Sequence, residues 1–335
     1  MMTARKNSAS RKFLHLMLAV IIGFSLVLLA VNYSVDRYSV FHPRNGVFDD
    51  FLEPNTRVLK AEYLAANCSK FDAMVVGSSR AAAYHTADFN QVFGVNAYNF
   101  GVATGSLPGI LERLEWLASL DCMPRRIFLP LSIDRLHFPN RPNDLLRKEY
   151  PDIVGTPAYR REFLLSYLGT DAFFSNVRKL LEQLLKQPEP RLRYDMSSGD
   201  VDYLWDRELE FSACPEAPVS TDPVIIREFV SYLEQIDALT DEHGAELILL
   251  WNPIPRAAQV AHLEDAKRLF ADIEGFSSVI FRLPPSDSRL IDGRHYHDKG
   301  HFKPGLAAAV FNAADHQVSH AQLLEELQHA ADRCR

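Results

Sequence analysis

The sequence has no C-x-x-C pair, no block of like charge, no internal repeat and no low-complexity tract. Each absence removes a class of protein. The four cysteines, Cys68, Cys122, Cys214 and Cys334, lie far apart, which argues against a cysteine-built zinc site. They suit an oxidising compartment, with several pairings open. The formal net charge of −7 comes from interspersed acidic and basic residues, so neither a nucleic-acid surface nor a polybasic lipid patch is indicated. No stretch has the composition of a disordered region, and with 47% hydrophobic residues the chain can bury one large α/β core or two small ones.

One long apolar run is present. Phe13 to Val31 carries no charge unless His15 is protonated, and a helix of about 20 such residues spans a bilayer core. Arg5, Lys6, Arg11 and Lys12 precede it, so the positive-inside rule leaves the N-terminus in the cytoplasm and carries the remainder across. The competing reading is a cleavable signal peptide. The run exceeds the usual apolar core of about 7–15 residues and no clean small-x-small site follows, which favours a retained anchor. The expected organisation is a cytoplasmic tail (1–12), a transmembrane helix (13–32), a linker (33–70) and a globular domain (71–335).

The linker is polar and dotted with aromatics, with Pro43, Pro54 and some helix near Val58 to Ala66, and is expected to pack loosely. Beyond it, Ala73 to Gly77 reads as a buried strand feeding a turn. Val95 to Phe100 is a second strand. Ser106 caps a helix with Leu107, Ile110, Leu111, Leu114, Leu117 and Ala118 at helical spacing. Ile127 to Leu131 is a third strand, made irregular or an edge by Pro130. A long helix opens at Thr221 or Asp222 and ends at Gly244, before a fourth strand, Leu247 to Trp251. Ala261 to Gly275 reads as helix, Ser278 to Leu283 as a fifth strand, and Pro304 starts a terminal helix. This order predicts an α/β, doubly wound, three-layer parallel sheet. An insert at about 136–219, with one clear amphipathic helix from Thr170 to Leu185, is either a cap over the sheet's carboxyl edge or a protein contact surface.

Two segments carry chemistry. The first strand ends Val76-Gly-Ser-Ser-Arg80, a hydroxyl in a tight turn at a strand's carboxyl end, where α/β hydrolases expose a nucleophile, although this is not the G-x-S-x-G elbow. An ordinary turn or helix cap is the plainer reading. Near the other end stands His295-Tyr-His-Asp-Lys-Gly-His-Phe-Lys-Pro304. Asp298 and His301 are spaced so that the carboxylate can hold one imidazole nitrogen while the other faces a hydroxyl, as a general base requires. A solvated loop and a metal site using His295, His297 and His301 are the alternatives; the pattern matches no usual zinc signature.

Together these blocks resemble the SGNH hydrolase superfamily: a glycine-x-serine turn after the first strand, a glycine after the second, and Asp-x-x-His before a late helix. The resemblance runs from about Phe71 to Asp315, interrupted by the insert. It implies Ser79 as nucleophile, Asp298 and His301 as the acid and base, and Gly101 as an oxyanion-hole donor alongside the Ser79 N–H. Asp134 departs from the family, which has an asparagine donor there. A carboxylate beside an oxyanion repels it, so Asp134 is expected to point away, pair with Arg80 or Arg135, or mark a site without ordinary hydrolysis. Asn252, in Trp-Asn-Pro, is a substitute donor or simply a turn residue. In the family's strand order the first and third strands are neighbours, which implies a Cys68–Cys122 disulfide, with Cys214–Cys334 as the second pair.

The motifs look most like the anchored, envelope-facing members, associated with adding or removing O-acyl groups, commonly acetyl, on cell-surface polysaccharides. The resemblance implies a bacterial inner-membrane protein with a periplasmic domain and a Ser-His-Asp mechanism. Its partners are then an envelope glycan, an acyl donor and a membrane acyltransferase. No cofactor and no metal is expected, because hydroxyl, imidazole and carboxylate suffice for acyl transfer. The rival expectation is a non-catalytic assembly or glycan-binding subunit that keeps the fold.

Overall fold

The computed structural model describes residues 3–136, 144–186, 188–273, 280–312 and 317–334. It opens on a helix, α1 (Thr3–Val35), whose stretch Arg11–Val35 is long and apolar enough to cross a membrane. Then come β1 (Val47–Asp50), α2 (Thr56–Asn67), β2 (Ala73–Gly77), α3 (Thr86–Phe93), β3 (Ala97–Gly101), α4 (Leu107–Ser119) and β4 (Arg126–Leu131). The insert supplies α5 (Pro151–Val154), α6 (Pro157–Leu168), α7 (Thr170–Lys186), β5 (Leu192–Asp195) and β6 (Asp200–Tyr203). After it follow α8 (Pro223–Glu242), β7 (Glu246–Trp251), α9 (Arg256–Ala261), α10 (Leu263–Asp272) and β8 (Ile280–Phe281). The chain closes with β9 (Tyr296–Asp298), β10 (His301–Phe302), α11 (Pro304–Ala309), β11 (Gln317–Val318) and α12 (His320–Asp332).

The central sheet has the order β11-β8-β7-β4-β2-β3, parallel throughout except for β11. Its strands are continuous apolar runs because both faces are covered. Met74, Val76, Ile127, Leu129, Leu247 and Leu249 pack with residues of α4, α8, α10 and α12. Their strand neighbours Val75, Phe128, Ile248 and Leu250 pack on the opposite face with Phe89 of α3 and Leu306 of α11. Burying each such side chain contributes roughly 1.5–3 kcal/mol. From β2 the chain runs outward to β3, then returns across β2 to β4 and proceeds the other way to β7 and β8. Open α/β sheets bind ligands beyond the carboxyl ends of strands at such a reversal.

Several expectations need correction. Residues 33–70 are not a loosely packed linker. In α2 the side chains of Val58, Leu59, Ala61 and Leu64 are buried, as are those of Arg57 and Lys60. Asn55 caps α2 through the N–H groups of Arg57 and Val58 and donates to Lys148 O (2.8 Å) and Tyr167 Oη (2.7 Å) in the insert. The irregularity expected at Pro130 is present, inside the sheet and not at its edge: β4 lies between β2 and β7, and its ladder with β2 ends at Phe128, two residues before the proline that has no N–H to offer. The helix expected over Ala261 to Gly275 breaks at His262, whose imidazole turns to Asp265 (2.9 Å). Of the fifth strand, Ile280 and Phe281 are in β8, while Ser278 and Val279 lie outside the described residues, as do Glu274 and Gly275. The helix opening at Pro304 is not terminal, because β11 and α12 follow it.

The insert has two parts with different duties. Helices α6 and α7 pack against α1. The β5–β6 hairpin pairs with β1 in a separate antiparallel sheet, order β1-β5-β6. Its turn presses on β3, with the Asn99 N–H donating to Ser198 O at 2.8 Å. Gly199 belongs there because its φ is +77° and a Cβ would stand 2.9 Å from the Tyr98 ring. Disulfides join Cys68 to Cys122, at the amino edge of neighbouring β2 and β4, and Cys214 to Cys334.

Candidate active site

The turn after β2 and the β9–β10 ribbon meet at the carboxyl end of the sheet. Ala81 N and Ala82 N both donate to Ser78 O (3.0 and 3.3 Å), closing the turn that presents Ser79. In the ribbon, Asp298 and His301 are direct cross-strand partners. Buried Tyr296 and Phe302 anchor it, with the Tyr296 hydroxyl donating to Pro253 O at 3.0 Å. The result is a continuous chain: His301 Nε2 lies 2.9 Å from Ser79 Oγ, and His301 Nδ1 lies 2.9 and 3.0 Å from the two Asp298 oxygens. Burial opposes ionisation of Asp298. The hydrogen bond and charge of His301 and the N–H groups of Gly300 and His301 outweigh it, and hold the carboxyl down at about 2. The Asp298 carboxylate is thus ionised wherever the imidazole can act as a base.

The N–H groups left free beside Ser79 differ from the donors implied by the resemblance. The Gly101 N–H donates to Asn99 Oδ1 at 2.8 Å and is engaged within the strand. What Gly101 supplies is room, since a Cβ there would stand 2.7 Å from Ala82 N, in the turn carrying the serine. Asn252 is also committed: it is buried, donates to Ser132 Oγ at 2.7 Å and accepts from the Tyr84 hydroxyl at 3.1 Å. Among the described residues the N–H groups of Ser79, Ala103 and Thr104 make no hydrogen bond, and all three residues line one cavity with His301. Thr104 sits at φ 50°, a strained left-handed conformation for a threonine, and such strain gathers at ligand-binding turns. Nothing in the sequence singled out this loop.

Asp134 turns away from the serine and pairs with Arg80. Arg80 Nη1 and Nη2 reach its two oxygens at 2.5 and 2.8 Å, while Arg80 Nε donates to Gly300 O at 2.8 Å. One buried guanidinium therefore ties the serine turn to the end of β4 and to the residue preceding His301. Below the site, buried Lys60 donates to Asn99 O (2.9 Å) and Gly101 O (2.7 Å). Burial pushes its ammonium down to about 7.

The cavity above Ser79 and His301 measures about 230 Å³, below the roughly 300–1,000 Å³ of pockets that enclose drug-sized ligands. It suits a small group rather than a long chain. Its far wall is the β5–β6 hairpin, with Leu192, Tyr194, Val201 and Tyr203, followed by Trp205. The Tyr203 and His301 ring centroids are 5.2 Å apart. Glu53 lines the same cavity, and burial raises the pKa of its carboxyl against the opposing pull of His301 and Arg57. The aromatic wall and Glu53 are site features that the sequence reading missed, because they come from the segments taken as linker and insert.

The other two histidines go elsewhere. His297 Nδ1 bonds Trp205 O at 2.8 Å, holding the segment after β6 against the ribbon, and His295 lies near Asp292. Among the described residues no group of three histidine, cysteine or acidic side chains is placed to hold a metal ion. No family model matches the chain, and no curated protein matches it in sequence.

Proposed function

We propose that this chain is a membrane-anchored O-acyl transferase or esterase of the SGNH hydrolase type, acting through Ser79 on a small acyl group, most simply acetyl, of an envelope glycan. The observation that carries the reading is the hydrogen-bonded chain Asp298–His301–Ser79 opening onto a cavity. Parallel-strand order β3-β2-β4-β7-β8, with the serine beyond β2 at the reversal, supports the SGNH or flavodoxin-like assignment. The N-terminal helix and the positive charges before it support an extracytoplasmic domain anchored in an inner membrane.

In the proposed reaction Ser79 Oγ attacks the acyl carbonyl while His301 Nε2 takes its proton. The negative charge on the carbonyl oxygen is met by the N–H of Ser79 and those of Ala103 and Thr104. His301 then returns the proton to the departing alkoxide, leaving the acyl group on Ser79. Attack by water gives hydrolysis, and attack by a sugar hydroxyl gives transfer, with His301 again accepting the proton. Asp298 keeps the imidazole in the required tautomer. The engaged Gly101 and Asn252 favour a second reading, a non-catalytic subunit that uses the cavity to bind glycan.

Turnover of an activated acetyl ester by the full chain in detergent separates the two. Ser79→Ala and His301→Ala should each lower kcat by about 10³-fold or more with unchanged melting, and Asp298→Asn should lower kcat with similar severity. The Ser79→Ala, His301→Ala double variant should lose little beyond either single one. Ser78→Ala and His295→Ala should retain most activity. Wild-type turnover no faster than Ser79→Ala would leave the glycan-binding reading.

A further inference from the structure

Helix α7 meets α1 at two levels. At the end of α1, the Asn32 side chain donates to Gly169 O at 2.8 Å, and Asn176 donates back to Asn32 at 3.1 Å. The Arg37 N–H also reaches Asn176, at 2.8 Å. Deeper along α1, the Phe173 and Phe24 rings lie with centroids 6.4 Å apart. Phe24 is seven residues inside the apolar run that ends at Val31, roughly 10 Å along a helix axis. If the bilayer stopped short of Phe24, only Phe13 to Gly23 would remain, about 16 Å of helix against a hydrocarbon core of about 30 Å. An α1 that spans therefore carries the first turn of α7 into the leaflet with it.

The rest of α7 is built for that position. Its inner face, Ala172, Asn176 and Lys179, is buried against the domain. Its outer face exposes Phe174 (70%), Leu181 (49%), Leu184 (68%) and Leu185 (78%), a stripe at helical spacing along the same helix. On α6, Leu164 and Leu165 are exposed as well. Apolar faces of this kind lie about 5–10 Å into the boundary between headgroups and acyl chains, and Arg178, exposed on the stripe and paired with Glu182 at 2.9 Å, can extend its head to the headgroups. The surface is continuous with the membrane helix, which identifies lipid as its occupant.

We infer that the α6–α7 part of the insert is a membrane-docking platform, seated in the outer part of the leaflet into which α1 runs. The domain is then held at a fixed orientation to the membrane and does not swing on a tether. The inference rests on α1 spanning a bilayer and is independent of the chemistry at Ser79.

All four cysteines are in disulfides, so a single introduced cysteine can carry a nitroxide. The full chain is reconstituted in phosphatidylethanolamine/phosphatidylglycerol vesicles with labels at Leu181→Cys or Leu185→Cys. Leu18→Cys in α1 is the membrane reference and exposed Val224→Cys on α8 the aqueous one. Relaxation by oxygen relative to an aqueous nickel chelate should be at least about fivefold higher at 181 and 185 than at 224, approaching the value at 18. Chelate access at 181 and 185 equal to that at 224, with 18 still shielded, would overturn the platform while leaving the anchor intact. Dipolar broadening between labels at 185 would overturn it in favour of self-association. A chelate-accessible label at 18 would remove the anchor and the platform together.

Discussion

At the scale of single residues, the site depends on who holds Ser79 and His301 in register. Arg80 does so through Asp134 and Gly300 O. Lysine at this position keeps the charge but cannot fork to both carboxylate oxygens and reach a third acceptor. Arg80→Lys should therefore lower kcat by about 10²-fold with KM little changed, as expected when a catalytic pair is displaced by an ångström. A variant that loses stability but, where folded, keeps wild-type kcat would reduce Arg80 to a structural role. Asp298 makes a prediction about pH. Its folded-state carboxyl sits at about 2, below the ordinary value near 3.9, so the group stabilises the fold above about pH 4. That contribution is lost as pH falls through the folded value. The stability difference between wild type and Asp298→Asn, read from urea midpoints, should shrink as pH falls from about 4 to about 2. The Asp298–His301 pairing was legible in the sequence because the two lie three residues apart, while the meeting of His301 with Ser79, across 222 residues, was implied only by the resemblance. The proposed oxyanion donors were not legible, because they depend on which backbone N–H groups remain unengaged, and Asn99 decides that for Gly101.

At the scale of elements, apolar runs marked β2, β4 and β7, since a strand covered on both faces is mostly apolar, while β3, with Asn99 buried in it, gave a weaker pattern. The helices that cover the sheet were equally legible where turn signals bounded them, as at Asp222 and Gly244. The β5–β6 hairpin and β1 were not. β5 and β6 alternate polar and apolar residues over only four positions each, too short a pattern to stand out, while β1, Val-Phe-Asp-Asp, does not alternate and lies more than a hundred residues from its partner β5. Helix α2 escaped as a core element because Arg57 and Lys60, charged in the sequence, are buried against Glu149 and against backbone carbonyls. The Cys68–Cys122 disulfide locks α2's end to the approach to β4 across a separation of 54 residues. Replacing both cysteines by serine should cost about 2–4 kcal/mol in denaturant unfolding. Unchanged stability, or peptide mapping that finds the two thiols free, would remove that lock.

At the scale of the whole molecule, three parts converge on one cavity: the sheet's carboxyl edge gives Ser79, the late ribbon gives His301, and the insert's hairpin gives the wall. The other half of the insert stays with α1. On the proposed reading, this division lets one long insertion both wall the cavity and face a membrane. It also makes the chemistry separable from the location, since an activated serine can be detected with no knowledge of glycan or acyl donor. A fluorophosphonate reacts with a serine hydroxyl only where a base and oxyanion donors activate it. Incubated with the full chain in detergent and mapped by peptide mass, it should add one label, at Ser79, and labelling should vanish in His301→Ala. A folded wild-type chain that takes up no label, or takes it up equally without His301, would contradict the seryl mechanism.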